Sequence, residues 1–435
     1  MPSTPYMFSP AAIMYEPGLY TAPAITATLN EDGSLYQAQF DYAQNKEWNG
    51  TIKRTKIDKN GKLYPKDKDN WSAVEKLPKS GNRKIWSAIP NTDYTTNYNN
   101  WTTSNATAID DLVTLMGFDV QDYHRKTNNT DGSTNNKRCA NASGVADGTD
   151  DDLKGLINFI RGTDVYDQDS DNNKTESIHK LADIYHSELI VVGKPDAPAL
   201  DDGSINSKEK DSYYRSQNNY NNFKNGSSCG GPCANRKEIV YAGANNGILH
   251  AFDASSGEEL WGYIPPNVLG NLEKIPSSKA NSTNAIYGID GSPVVKDIFF
   301  DDTPNDNVNN PRWRTILLGS LGAGGKGLYA LDVTNPNSPT HLFAINNNES
   351  DKFIQHWGVD RMKNEFGYAG GSSIDAKYDY RKLGETWSTP RIIRIKISGK
   401  DKWVAVFGGG YNGAVNPNIG SAVFVLDLED EGRLL

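Results

Sequence analysis

The sequence predicts an all-β chain, a modified β-propeller with long loop insertions and one or two short helices. Three observations carry this reading. First, Ile239–Pro266 (IVYAGANNGILHAFDASSGEELWGYIPP) reads as most of one blade. An apolar strand, Ile239–Ala242, meets a Gly/Asn turn at Gly243–Gly247. A second strand, Ile248–Asp253, ends on Asp253. Ser255–Gly257 closes a tight hairpin, and Glu259–Ile264 returns carrying Trp261. Gly and Asn tolerate the positive φ that such turns need, and β-branched and aromatic residues suit the strands. Second, the skeleton recurs. Thr315–Leu331 gives strand, Gly-rich turn and strand before Asp332, and Trp403–Gly410 with Ala422–Leu428 repeats it with Asp427. A small twisted sheet has to bury both faces on neighbours, so one blade argues for more. Third, the 435 residues include 40 Gly, 22 Tyr and 9 Trp but 5 Met, which suits a β-rich, turn-rich exported protein.

In chain order, residues 1–29 read as a lead-in and 30–435 as the propeller, with insertions at about 119–152 and 195–237. Tyr36–Ile57 predicts two strands around Trp48-Asn49-Gly50, since Asn-Gly between alternating segments signals a hairpin. Arg83–Ala88 is a further short strand. Helical spacing marks Ala108–Phe118 and Asp150–Arg161, with Asp110 and Asp150 or Asp151 as N-caps. Ile184–Gly193 and Ile286–Ile298 look like inner strands of further blades. The insertion Pro195–Lys237 carries Tyr213, Tyr214, Tyr220 and Phe223, which read as an exposed recognition surface.

No apolar run reaches membrane-span length, so the chain is read as not membrane-spanning. The net charge of −9 disfavours a nucleic-acid surface. The basic stretch Lys53–Lys62 reads as a solvated strand face. Met1–Tyr6 shows no signal peptide, so an exported chain of this kind is read as a mature segment.

The strongest metal candidate is Asp167-x-Asp169-x-Asp171-x-Asn173, with Thr175 and Glu176 completing the shell. Alternating carboxylates on a short loop converge on a hard cation, and calcium is the expected one. Asn172 stands where a calcium loop has glycine, and Ile178 where it has a bidentate Glu. The clusters Asp147–Asp152 and Asp301–Asp306 are weaker candidates, and Asp150–Asp152 are better explained as a helix start. Cys229-Gly-Gly-Pro-Cys233 is a disulfide candidate, with no His nearby for zinc; Cys139 is left odd. Gly319–Gly327 lacks the Gly-Lys-Ser/Thr ending of a phosphate loop. His250 reads as a structural histidine. Ser187 adjoins His186 without a nucleophile elbow, so no hydrolase is predicted. Arg161-Gly162-Thr163-Asp164 is not an integrin tripeptide.

LADIYHSELIVVGKP (Leu181–Pro195), the blade at Ile239–Pro266, YGIDGSPVVKD (Tyr287–Asp297) and WRTILLGSLGAGGKGLYALDVTNP (Trp313–Pro336) resemble, in order and spacing, the PilC/PilY family of type IV pilus-associated proteins. WNGTIKRTKID (Trp48–Asp58) and the WVAVFGGGYN and SAVFVLDL segments (Trp403–Asn412, Ser421–Leu428) extend the resemblance to roughly Tyr36–Leu428. It implies a propeller exported through the periplasm and displayed extracellularly, at the pilus tip or outer cell surface. It further implies a calcium-binding adhesin that contacts minor pilins, supports pilus assembly, opposes retraction and mediates surface attachment. The family's own calcium loop follows the segment equivalent to Val423–Leu435, so the chain is expected to lack its last blades. The rival is a quinoprotein dehydrogenase, a PQQ-dependent enzyme whose blades carry a signature matched by Ala251–Trp261 (AFDASSGEELW). That signature is clean once and no adjacent cysteine pair accompanies it. It therefore argues for the fold, and no enzyme is predicted.

Overall fold

The computed structural model describes residues 26–30, 32–41, 48–58, 60–64, 66–90, 92–104, 150–164, 171–173, 175–177, 181–227, 233–274, 287–300, 312–412 and 416–435. Among the described residues, strands in four sheets dominate and helices are few and short, which is the all-β class expected. The chain forms two compact units. The first comprises Met1–Val191, Val240–Ser292 and Leu321–Gly325, and the second Val192–Ile239, Pro293–Ser320 and Lys326–Leu435.

The first unit opens with a five-stranded sheet of β1 (Thr26–Leu29), β2 (Ser34–Asp41), β3 (Asn49–Ile57), β4 (Leu63–Tyr64) and β5 (Trp71–Ser72), followed by helix α1 (Ala73–Lys76). The expected hairpin is present, with Ser34 opposite Lys56 and Asp41 opposite Asn49. Its turn is not at Asn49-Gly50, which begin β3. Gly50 is required for another reason: a Cβ there would lie 2.0 Å from the Ala182 carbonyl oxygen. Thr26–Leu29, read as lead-in, pairs with β2. The basic stretch is also not wholly solvated. Arg54 falls on the buried face of β3 beside Ile52, where Nε donates to Ser34 Oγ (3.0 Å) and Nη1 to the Asp69 carbonyl (2.7 Å).

The second sheet joins β6 (Ile85–Ser87), β7 (Ile190–Val192), β8 (Ile239–Gly243), β9 (Leu249–Asp253) and β10 (Glu259–Ile264) in the order β6-β10-β9-β8-β7. β6 pairs in parallel with β10. Both faces of β8 and β9 are buried along their whole length. At the β9–β10 turn, Asp253 Oδ1 accepts from the Ser255 and Ser256 amides (2.9 and 3.2 Å). Gly257, at φ +76°, leaves room for Trp71, whose ring would lie 2.5 Å from an added Cβ. Helix α2 (Asp150–Arg161) stands where its periodicity places it, with Leu156, Ile157 and Ile160 buried. Ala108–Phe118 lies outside the described residues.

The second unit holds a six-stranded antiparallel meander of β11 (Val294–Phe300), β12 (Arg312–Ser320), β13 (Gly327–Asp332), β14 (Thr340–Asn348), β15 (Phe353–Trp357) and β16 (Lys363–Gly367). It also holds a three-stranded sheet of β17 (Arg391–Ile397), β18 (Lys400–Gly408) and β19 (Val423–Asp427). The repeated strands β9, β13 and β19 therefore lie in three different sheets, as their shared skeleton predicts. By contrast, β7 and β11 do not begin further blades. They are the edge strands of sheets already counted through β8–β10 and β12–β14.

The insertion 195–237 differs from its reading as an exposed aromatic surface. It forms helices α3 (Asp211–Gln217) and α4 (Tyr220–Lys224), and Tyr220 and Phe223 are buried. Tyr220 meets Trp313 edge-on at 4.7 Å, and the Trp313 indole donates to the Asn218 carbonyl (2.7 Å). Tyr214 packs against Trp403 under the Arg394 guanidinium. Each fully buried aromatic contributes about 1.5–3 kcal/mol, so this segment is part of the unit's core and not a free recognition loop.

Candidate functional site

Of the expected calcium ligands, Asp167 and Asp169 lie outside the described residues. Asp171, Asn173 and Thr175 follow one another in consecutive side-chain turns: Asp171 Oδ1 accepts from the Asn173 amide (2.7 Å), and Asn173 Oδ1 from the Thr175 hydroxyl (2.9 Å). An antiparallel bridge between Thr163 and Ser177 returns the chain to its starting point. Among the described residues, no group of three or more His, Cys, Asp or Glu side chains is placed to hold a metal ion. Cys233 is buried and disulfide-bonded. Its partner is Cys139 or Cys229, both outside the described residues. Asp301–Asp306 lies outside them too, and Arg161 is buried.

The polar residues of the specific motifs meet in the first unit, around Leu181–Leu189. The segment is mostly irregular, and its bonds run to partners far along the chain. The Asp183 carbonyl accepts from the Asn245 amide (3.0 Å), and the Asn245 side chain donates to Asp183 Oδ2 (2.6 Å). Asn245 Oδ1 accepts in turn from the Gly288 amide (3.3 Å). His186 Nδ1 lies 2.6 Å from Asp290 Oδ2, and the His186 amide donates to Asp290 Oδ1 (3.2 Å). Ser187 Oγ accepts from the Gly243 amide (3.3 Å). Ser187 is thus a backbone anchor on β8, and His186 is turned to a carboxylate instead of to that hydroxyl. Asp183, Asn245 and Asp290 do not stand out as a group in the sequence. Their one signal in the sequence is a small polar residue set inside an apolar run, as in Leu181-Ala182-Asp183-Ile184-Tyr185.

Two carboxylates are buried here. Burial pushes the Asp183 carboxyl up to about 7, helped by the nearby Asp290 charge and opposed by the Asn245 hydrogen bond. Burial also raises Asp290, against the hydrogen bond and charge of His186. This arrangement can hold a proton near neutral pH, but it presents no nucleophile with a base.

A second buried cluster explains the residues of the dehydrogenase-like signature. Glu259 accepts from Arg83 Nε and Nη2, both at 2.8 Å, and meets His250 Nδ1 at 2.7 Å. Arg83 and Arg161 exchange bonds through each other's backbone carbonyls (2.9 and 2.6 Å). Burial lowers the His250 pKa, with the Arg83 charge and against the hydrogen bond and charge of Glu259. Trp261 is buried against Tyr241 and Trp86. These side chains brace one another inside the fold, as expected for His250.

Residues 211–435, just over half of the chain, match the family described as the PilY1 beta-propeller domain. The chain belongs to this family. It is 28% identical over 420 residues to the type IV pilus biogenesis factor PilY1 of Pseudomonas aeruginosa strain UCBPP-PA14, covering 95% of this chain and 28% of that protein. The PilY1 of strain PAK is also 28% identical, over 94% of this chain and 28% of its own length. A PilY1 homolog of Xylella fastidiosa is 30% identical over 42% of this chain and 13% of its own length. The chain thus spans little more than a quarter of the length of the Pseudomonas relatives. The crystal structure of the P. aeruginosa PilY1 C-terminal domain is similar at 28% identity over 56% of this chain and 35% of that one, with a TM-score of 0.34. No described helix is long and apolar enough to cross a membrane.

The Asp183 carboxyl gives a signed prediction. Its pKa is higher in the fold than in the unfolded chain, where it is 3.8. The folded state therefore holds more protons between the two values, and the stability from this group is full at low pH and lost as pH rises through about 7. Asp183→Asn, which keeps an oxygen for Asn245, should flatten that fall by up to about 1.4 kcal/mol per pH unit. Chemical denaturation of both proteins at a series of pH values measures the difference.

Proposed function

We propose that this chain is the propeller region of a type IV pilus biogenesis factor that works at the pilus tip or outer cell surface after export through the periplasm. In this role it supports assembly, opposes retraction, contacts minor pilins and mediates surface attachment. The observation that carries the reading is the family match over 211–435 joined to relatives named as pilus biogenesis factors along nearly the whole chain. A binding role also suits the described residues, whose buried polar clusters are spent on bracing the sheets. Deleting the segment from its own gene should leave few surface pili, and removing the retraction motor as well should restore them. Electron microscopy counts both. Normal piliation in the single deletion would contradict the reading.

The calcium site belongs to the same proposal. Asp167, Asp169, Asp171, Asn173 and Thr175 offer only oxygen donors, the set a hard cation takes. Asp171 and Asn173 are exposed, so a cation can reach them from solvent. With no bidentate Glu, affinity should be on the order of micromolar to millimolar. Asp169→Ala with Asp171→Ala should abolish calcium uptake in calorimetry and leave the fold intact; unchanged uptake would remove the site.

A further inference from the structure

A cleft of about 450 Å³ opens on the second unit, between the turn after β14 and the segments around Asp379–Lys382 and Asn416–Phe424. Its frame is fixed by hydrogen bonds. Asn347 donates to the carbonyls of Leu383 (2.8 Å) and Arg381 (3.3 Å) and accepts from the Tyr368 hydroxyl (2.8 Å). Arg381 and Asp379 form a two-pronged pair at 2.7 Å in both contacts. Lys326 grips Glu349, which also accepts from Asn416 (3.2 Å). Burial opposes the Glu349 charge, but the bonds from Lys326 and Asn416 outweigh it and hold the carboxyl below its usual range.

Two cations are left over. Lys352 and Lys382 line the cleft and are exposed, and among the described residues neither ammonium has an ion-pair or hydrogen-bond partner. Lys326 is answered by Glu349 and Arg381 by Asp379 in direct contact, and Lys352 and Lys382 feel those two carboxylates only at longer range, so the cleft is positive on a chain whose net charge is −9. Beside these charges stand the Asn416 and Asn418 side chains, and an apolar wall of Ile419 and Phe424.

The geometry points to a binding site for an acidic saccharide, with its carboxylate at Lys352 and Lys382. The ligand's hydroxyls face Glu349, Asp379 and the asparagines, and a C–H face of its ring lies on Ile419 and Phe424. The mixed polar set decides the class. Ammonium groups with no direct ion pair call for an anion, while fixed carboxylates beside them call for hydroxyl donors in the same molecule. An acidic peptide brings the first but few of the second. The volume lies within the range of small-ligand clefts, roughly 300–1,000 Å³. This inference rests on the attachment reading above and names its ligand class.

The purified chain is titrated by calorimetry with trigalacturonate, with neutral galactotriose and with triglutamate. Trigalacturonate should bind saturably and weaken as salt rises, and the other two should bind at least about tenfold more weakly. Lys352→Ala with Lys382→Ala should lose at least about tenfold in affinity at an unchanged melting temperature, since both side chains are exposed. No saturable binding of trigalacturonate, equal binding by the double variant, or equal binding of triglutamate would each overturn the assignment. The same double variant, placed in the native gene, should leave the count of surface pili unchanged. Loss of pili would move these lysines into assembly and overturn the assignment as ligand residues. If the assignment fails in vitro while piliation stays normal, this site alone is rejected and the pilus reading stands.

Discussion

In the first unit, the backbone of Leu181–Leu189 holds together strands that do not pair with one another. The Leu181 carbonyl accepts from Gly50 at the start of β3 (2.8 Å), and Leu189 accepts from the Thr28 hydroxyl on β1 (2.7 Å). Between them, Asp183 takes both the backbone and the side chain of Asn245. His186 reaches Asp290, and Ser187 reaches β8. An irregular segment can be buried only if its polar groups find partners, and here each partner comes from a different element. The constraint runs back to sequence: Gly50 has to be glycine because the segment passes so close, and the Asp183 side chain supplies the oxygen that the buried Asn245 amide group needs.

The sheets themselves rest on one repeated device. Asp253, Asp332 and Asp427 end equivalent strands, and each Oδ1 accepts from the amide two residues on at 2.9 Å. The bond starts the turn and frees the chain to reverse, which is why the residue recurs where the flanking loops do not. Strands such as β8 and β9, buried on both faces, cannot stand alone, so their sheet is covered on both sides, as a propeller blade has to be. On such a scaffold the long insertions can vary in length while the strands keep their places, and function falls to the loops and clefts they leave.

The elements legible in the sequence were those with strong local pattern: the apolar strands at 239–264, 315–332 and 403–428, and helix α2 with its buried Leu156, Ile157 and Ile160. β15 and β16 were not legible because they alternate weakly, and β16 has no buried residue. Asn49-Gly50 carried a turn signal, but the glycine answers a contact with Ala182 that no local window contains. Arg54 and Tyr220 looked like surface residues because their partners, Asp69 and Trp313, are supplied by other elements. The Asp183–Asn245 and His186–Asp290 pairs span 62 and 104 residues, so the motif residues were visible one by one while their meeting was not.

The central claim is that Leu181–Leu189 acts as the brace of the first unit and not as a loop laid over it. Hydrogen–deuterium exchange read at the amides of Gly50, Gly243 and Asn245 tests it most directly, because each donates to this segment. The account predicts that these three exchange as slowly as the amides of β9 and lose protection together in an Asn245→Ala variant. Exchange of Gly50 and Asn245 at the rate of open loops, with β9 still protected, would contradict it.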